Sequence, residues 1–206
     1  MSENYCRNYF SEVHEITLSR KNEKRVFTLK KLSEDDIPNV LSLQKGVTAL
    51  LESDDIFIES SKEELVSATS DDLCLGLTDE NGLACVCTII LNRKTDSNLF
   101  LHHKDEINSA LGESFCEEDF LTFDSIQVRR DCSGFGIQRF FLGLCEDVAS
   151  VFGAKGIVAT VSPKNRRSFL NFEKCGFEAI LRLVIEHEPY CGVERIIFYK
   201  RTKADA

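Results

Sequence analysis

A short segment near the middle of the chain combines glycines, arginines and a helix start, which together suit the binding of an anion. The segment reads Val128-Arg-Arg-Asp-Cys-Ser-Gly-Phe-Gly-Ile137. Residues 120–128 before it are rich in β-formers, and residues 137–152 after it place apolar side chains on one helical face. Glycines at 134 and 136 allow a tight turn, so unpaired amides and the helix dipole would point at one spot. The segment therefore predicts a phosphate-binding turn.

Two common phosphate-binding patterns do not fit this turn. A nucleoside-triphosphate loop has a Lys-Ser or Lys-Thr pair after its last glycine, but Gly136 is followed by Ile137 and Gln138. A dinucleotide fingerprint has a third small residue at the position of Arg139. The ligand must therefore be a different phosphate-bearing molecule.

The turn resembles the acyl-CoA loop of the GCN5-related N-acetyltransferase (GNAT) family, Gln/Arg-x-x-Gly-x-Gly/Ala. A second stretch, Asn165-Arg-Arg-Ser-Phe-Leu-Asn-Phe-Glu-Lys-Cys-Gly-Phe177, resembles that family's Asn-x-x-Ala-x-x-Phe-Tyr-Glu-Lys-x-Gly-Phe. The clear resemblance covers residues 120–177, with a looser fit over 25–201. It implies an α/β fold with a single mixed, mostly antiparallel sheet of about seven strands and helices on both faces. Residues 1–24 would be an N-terminal extension with an extra strand, and 25–206 the acetyltransferase domain.

The resemblance implies acetyl-CoA as cosubstrate and assigns residues to it. The main chains of Ile126 and Val128 would hold the pantetheine arm, as would Asn165. A plain helix N-cap is an equally compatible role for Asn165, and the two roles need not exclude each other. The remaining expected cofactor contacts lie in or beside the turn: Arg130, Ser133, Gly134, Phe135, Gly136 and Ile137.

Direct acyl transfer to an amine requires an uncharged acceptor, whereas an alkyl ammonium has a pKa of about 10.4. A carboxylate, acting directly or through water, is the usual base. Asp124 is the carboxylate on strand 120–128 and is the first candidate. The structural alternative for Asp124 is a strand-end residue bonded to a loop amide.

The sequence departs from the family pattern at two positions. Asp131 stands where the family has glutamine or arginine, so it should weaken the grip on the diphosphate unless Arg130 or Arg139 compensates. Phe172 stands where a tyrosine is commonly credited with protonating the leaving thiolate. Tyr190 is then the candidate acid, and its structural alternative is a turn tyrosine packed on the sheet edge.

Composition limits the partners and the compartment. The chain has 206 residues and a net charge of −9, which argues against nucleic acid. No membrane-spanning stretch or secretory signal is evident, so a cytoplasmic protein is expected. The nine cysteines are odd in number and include no Cys-x-x-Cys, which favours buried thiols over disulfides or a metal site, and no metal is expected.

The charges are distributed unevenly along the chain. Residues 52–72 contain eight acids and 101–119 contain six, whereas bases gather near the turn. An anionic cofactor and a cationic acceptor would suit this division, although solvated surface explains the acidic runs as well. The predicted function is N-acetyl transfer from acetyl-CoA to a small-molecule or peptide amine. The alternative is a non-catalytic acyl-CoA-binding sensor or partner module, and a homodimer is left open.

The remaining elements follow from periodicity and turn signals. A helix is expected to begin after Asp35 or Asp36, with Pro38 in its first turn. Residues 92–119 form a long polar insertion with a helix around 99–111. Other expected elements are strands at 15–20, 25–31, 73–78, 83–91, 156–161, 177–187 and 193–200, and helices at 63–70 and from 165 to before 176.

Overall fold

A computed structural model describes residues 10, 12–91, 103–116, 119–186 and 191–202. Its strands are β1 (His14–Arg20), β2 (Glu23–Lys31), β3 (Leu73–Asp79), β4 (Gly82–Ile90), β5 (Phe120–Val128), β6 (Gly156–Val161), β7 (Glu178–Val184) and β8 (Glu194–Arg201). They form one sheet in the order β1-β2-β3-β4-β5-β6-β8-β7.

The pairing of the strands confirms the expected mixed, mostly antiparallel sheet. Pairs β1–β2, β2–β3, β3–β4, β6–β8 and β7–β8 are antiparallel. Strands β5 and β6 pair in parallel, 120–123 with 156–159, and β5 then continues to Val128. Within the described residues the sheet has eight strands, against the expected number of about seven.

In the part of the chain that the structure describes, five helices accompany the sheet: α1 (Ile37–Thr48), α2 (Lys62–Asp71), α3 (Lys104–Leu111), α4 (Ile137–Phe152) and α5 (Arg166–Lys174). Helix α1 begins after Asp36 with Pro38 in its first turn, as expected, but the Asp36 side chain makes no capping hydrogen bond to it. A short 3-10 turn, Glu34–Asp36, precedes it, and the Asp36 carboxylate accepts from the Ser33 amide at 3.1 Å. At α2, the Ser61 hydroxyl accepts from the Glu64 amide and the Glu64 carboxylate accepts from the Ser61 amide, forming a capping box.

Element boundaries differ from the sequence prediction by a few residues. Strand β7 ends at Val184, three residues before the predicted end, and α3 occupies the second half of the predicted helix at 99–111. The first half of that helix, within 92–102, lies outside the described residues. Short elements are least determined by local sequence at their ends, where helices and strands fray.

The chain divides into two compact units, each with its own apolar cluster. The first comprises Met1–Asp54, Ile58–Ile89 and Asp124–Phe141. The second comprises Asp55–Phe57, Ile90–Phe123 and Leu142–Ala206. In the described part of the first unit, the cluster contains Leu32, Ile37, Val40, Leu43, Leu65, Cys74 and Val86. In the second unit it contains Ile107, Phe115, Phe120, Val158, Ile197 and Tyr199.

The cysteines in the described residues are free thiols. Most of them are buried, and burial raises the pKa of Cys74 to about 11, so its thiol stays protonated at neutral pH. None of the helices in the described part of the chain has the length and apolar character needed to cross a membrane.

Gly156 is expected to be essential for packing in the second unit. A Cβ atom at this position would lie 2.4 Å from Cε2 of Tyr199 and 3.0 Å from Cε1 of Phe120. Gly156→Ala should therefore lower the free energy of unfolding by about 1–3 kcal/mol, measured by urea denaturation. Gly143→Ala is the control, because nothing lies within 4 Å of its added Cβ. This exposed helical glycine should give a gain of about 0.5–1 kcal/mol, and equal effects at both positions would contradict the packing argument.

Candidate active site

The segment after β5 forms the predicted turn. A short 3-10 turn, Arg130–Cys132, leads to Gly134 and Gly136, and α4 begins at Ile137. The two glycines have φ angles of 92° and 79°. Side chains with a Cβ rarely adopt these angles, so the backbone here requires glycine. The expected strand, glycine turn and helix start are all present.

The main-chain amides of the turn fall into two groups. Those of Cys132 and Ser133 donate to the carbonyls of Arg129 and Arg130, and that of Phe140 donates to Gly136. Within the described part of the chain, no backbone acceptor is found for the amides of Gly134, Phe135, Gly136 and Ile137, which lie in the turn and at the first residue of α4. Uncapped amides at the start of a 16-residue helix make a binding position for an anion.

Asp131 would place a negative charge beside this position, but two arginines neutralise it. Nε of Arg129 lies 2.7 Å from Oδ1 of Asp131, and Nη1 of Arg25 lies 3.0 Å from Oδ2. These hydrogen bonds hold the pKa of the Asp131 carboxyl well below its usual range, and the bond from Arg129 is the largest cause. The compensation thus comes from Arg129 and Arg25, whereas sequence reasoning considered Arg130 and Arg139.

Asp79 on β3 completes the support of Arg129. Its Oδ2 lies 2.6 Å from Nη2 of Arg129 and 3.5 Å from Nη1 of Arg25. Ligand atoms of Asp79, Asp131 and Cys132 lie within 4.8 Å of one another, a spacing that a metal ion could bridge. We assign no metal to these residues, because two guanidinium groups already neutralise both carboxylates.

Arg130 and Arg139 are the arginines of this segment that remain available to a ligand. Both are exposed, and within the described residues neither forms an ion pair or a side-chain hydrogen bond. Nη2 of Arg139 lies 3.5 Å from the position that a Cβ atom would occupy on Gly136. Its guanidinium group therefore lies next to the turn, where a phosphate would meet it.

Asp124 lies within β5, four residues before its end, and not at the strand end as the structural alternative required. Its side chain is accessible to water, yet burial is the largest cause that raises the pKa of its carboxyl, to about 6. Repulsion from Asp72 and Glu64 adds to this increase, and a hydrogen bond with the Ser125 side chain opposes it. A carboxyl with this pKa can accept a proton near neutral pH.

Two buried glutamines, which the sequence did not single out, hold the segment before α2. The Gln44 side chain donates to the Ser60 carbonyl at 2.9 Å and accepts from the Ser60 amide at 3.1 Å. Nε2 of Gln127, on β5, donates to Oε1 of Gln44 at 3.3 Å. These bonds connect β5 to the start of the helix that carries Glu64. Nothing in the spacing of two isolated glutamines could have revealed the contact.

The second unit contains Asn165 and Phe172. The Asn165 side chain accepts from the Ser168 amide at 3.0 Å, which confirms an N-cap at the start of α5. The Phe172 ring is buried against three aromatic rings, at centroid distances of 5.7 Å from Phe123, 5.1 Å from Phe177 and 5.1 Å from Phe198. Phe172 is therefore part of a dry aromatic cluster and has no proton to donate.

The structure describes most of the other expected site residues. Ile126 and Val128 are partly buried and lie in the portion of β5 beyond its parallel ladder with β6. Phe135 is buried in the turn, and Ser133 is partly buried. Tyr190, the candidate acid, lies outside the described residues.

The fold is similar to that of many solved acetyltransferases. The ribosomal-protein-S18-alanine N-acetyltransferase from Escherichia coli is 15% identical, with a TM-score of 0.60 over 87% of this chain and 96% of that one. The GNAT domain of S. lividans PAT is 15% identical, with a TM-score of 0.60 over 92% and 96%. The structure of yncA from Salmonella typhimurium with its cofactor acetyl-CoA is 13% identical, with a TM-score of 0.61 over 87% and 96%.

At these identities the likeness shows the fold alone. The chain has the GNAT fold, as the two sequence motifs predicted. No protein-family model and no curated protein matches the sequence.

The raised pKa of Asp124 predicts how the protein responds to pH. Its folded value of about 6 exceeds the ordinary 3.8, so the folded state binds more protons between these values. The free energy of unfolding should therefore fall as the pH rises from about 4 to 6. Carbon-detected NMR of the carboxyl group should give a midpoint near pH 6, lowered by Asp72→Asn and absent in Asp124→Asn. A midpoint at or below 4 would show that the carboxyl is fully solvated.

Proposed function

We propose that the protein is an N-acetyltransferase that moves an acetyl group from acetyl-CoA directly to an amine. The observation that carries this proposal is the set of unpaired amides at the start of α4, on a glycine turn within a GNAT fold. The domain responsible would be residues 25–206. One neighbour of this fold holds acetyl-CoA as its cofactor, which supports the same cosubstrate here.

The cofactor would bind along β5 and the turn. The amides of 134–137 would hold the diphosphate, with the exposed guanidinium groups of Arg130 and Arg139 adding charge-assisted hydrogen bonds. The main chains of Ile126 and Val128 would bind the pantetheine arm.

In the proposed reaction, the neutral amine attacks the thioester carbonyl and the C–N bond forms as the C–S bond breaks. Asp124 accepts the proton that the amine loses, directly or through water. A carboxyl with a pKa of about 6 is mostly ionised at pH 7 and still basic enough for this role. The leaving thiolate takes a proton from Tyr190 or from water, because Phe172 has none to give.

The proposed acceptor is a cationic amine. Glu64 and Asp72 both repel the charge on Asp124, so three carboxyl groups influence one position in the first unit. Negative potential of this kind attracts a cation and disfavours an acceptor rich in carboxylates. One neighbour of this fold is a ribosomal-protein-S18-alanine N-acetyltransferase, which supports including peptide amines among the acceptors.

A non-catalytic acyl-CoA-binding module is the second candidate. The observation in its favour is the packing of Phe172 among three rings, where the common acid of the family is absent. Such a protein would bind coenzyme A through the same turn and release no thiol with any amine.

The turn should be essential for coenzyme A binding. Gly136→Val forces a branched side chain into a backbone with φ of 79°, displacing the amides. Calorimetry should then detect no binding of coenzyme A, with an unchanged circular dichroism spectrum. Gly112→Val is the control, because Gly112 has a similar φ of 66° at the end of α3. If Gly136→Val is folded and keeps its affinity, the turn does not bind the cofactor.

A screen of amines with acetyl-CoA, followed by release of free thiol, should identify the acceptor class. Polyamines, aminoglycosides and basic peptide N-termini are expected to react, and acidic amino acids are not. The Michaelis constant of the acceptor should rise with ionic strength, because salt screens charges over about 8–10 Å.

If Asp124 is the base, the rate should rise with pH near 6 as its carboxyl ionises. Asp124→Asn should abolish this rise and lower kcat by roughly 100-fold, the usual contribution of a general base. Binding without thiol release from any amine would favour the non-catalytic module.

A further inference from the structure

Arg20, the last residue of β1, contacts the main chain of the turn from far away in the sequence. Its Nη1 lies 3.1 Å from the carbonyl oxygen of Asp131 and 3.0 Å from that of Ser133. Its Nε and Nη2 lie 3.3 Å and 2.6 Å from Oε2 of Glu23. Four of the five N–H donors of this guanidinium group therefore have protein acceptors.

The same guanidinium group lies over the ring of Phe135, between the two glycines of the turn. The Cζ atoms of Arg20 and Arg25 lie 4.5 Å and 4.9 Å from the ring centroid. Phe27 meets the ring edge-on at 6.1 Å, and only 2% of Phe135 is exposed. Cations over an aromatic face are attracted by its quadrupole, so the turn is held by its side chain as well as by its carbonyls.

The bond to the Ser133 carbonyl has a direct effect on the adjacent amide. The Ser133 carbonyl and the Gly134 N–H belong to one peptide unit, and in a planar trans peptide the two groups point in opposite directions. When Arg20 holds the carbonyl, the Gly134 N–H must point away from Arg20. A Cβ at Gly134 would lie 3.0 Å from Cδ of Arg20, so glycine also makes this approach possible.

We propose that Arg20 is a positioning residue that orients the Gly134 amide for the anion of the cofactor. The inference rests on the proposed function for the ligand, but its structural part concerns the turn alone. Arg20 lies in residues 1–24, outside the expected transferase domain. The N-terminal strand thus contributes to the shape of the turn.

The test compares Arg20→Gln and Arg20→Lys with Arg182→Gln in the full chain. Arg182 is an exposed arginine that pairs with Glu194 in the second unit, so its removal deletes a similar ion pair elsewhere. Coenzyme A affinity is measured by calorimetry, and hydrogen exchange is followed at the amides of Cys132 and Ser133, which the turn itself protects.

Arg20→Gln should accelerate hydrogen exchange at both amides. It should also weaken coenzyme A binding by about tenfold, because the Gly134 amide is no longer oriented and its charge-assisted hydrogen bond to the anion is lost. The Michaelis constant for acetyl-CoA should rise more than kcat falls. Arg20→Lys should restore little, because an ammonium group cannot bridge two carbonyls and a carboxylate in one plane. Arg182→Gln should change none of these quantities.

Two results would overturn the inference. One is unchanged exchange in folded Arg20→Gln, and the other is unchanged affinity in that variant while the parent protein binds coenzyme A. If the parent protein does not bind coenzyme A, the proposed function fails. Faster exchange in Arg20→Gln would then still support the orienting role of Arg20, and unchanged exchange would refute it.

Discussion

The charge of Asp131 is the constraint on which the turn depends. A carboxylate stands next to four amides that suit an anion, and an unneutralised charge there would repel the ligand. Arg129 and Arg25 each hold one of its oxygens, and Asp79 in turn holds Arg129. Neutralised in this way, Asp131 anchors the loop and no longer repels an anionic ligand. The positive field near the turn is then left to the exposed Arg130 and Arg139.

The surroundings of Asp124, on the strand that leads to the turn, are the opposite of those of Asp131. Asp124 has no basic neighbour among the causes that shift its pKa, and both charged groups that act on it are acidic. The shift therefore comes from the cost of keeping charge in a desolvated place among like charges. Asp131, just beyond the end of β5, is thus ionised and paired with arginines. Asp124, in the middle of β5, is a weaker acid, and no base is among the causes of its pKa shift. Asp131 and Asp124 are the same residue type, and their different roles follow from whether arginines lie beside the carboxylate.

The sequence predicted the local features of the site and missed the distant ones. Gly134, Gly136 and the start of α4 were predictable, because turn and helix signals lie within ten residues of one another. The N-cap role of Asn165 followed from its place before α5. The contacts of Arg20 and Arg25 could not be predicted, because they join residues more than 100 positions apart and no local pattern marks them. The surroundings of Asp124 depend on packing in the same way.

The distance along the chain between Arg20 and the turn also affects how the molecule folds. The β1–β2 hairpin closes over two residues, so it can form early from local contacts. Its bond to Asp131 spans 111 residues, and the loop-closure entropy of such a span is recovered only when the intervening strands have assembled. The turn can therefore reach its final shape only when the strands between have assembled. The ability of the turn to bind an anion thus depends on tertiary assembly. A partly folded chain would contain the glycine turn, but the Gly134 amide would not yet be oriented.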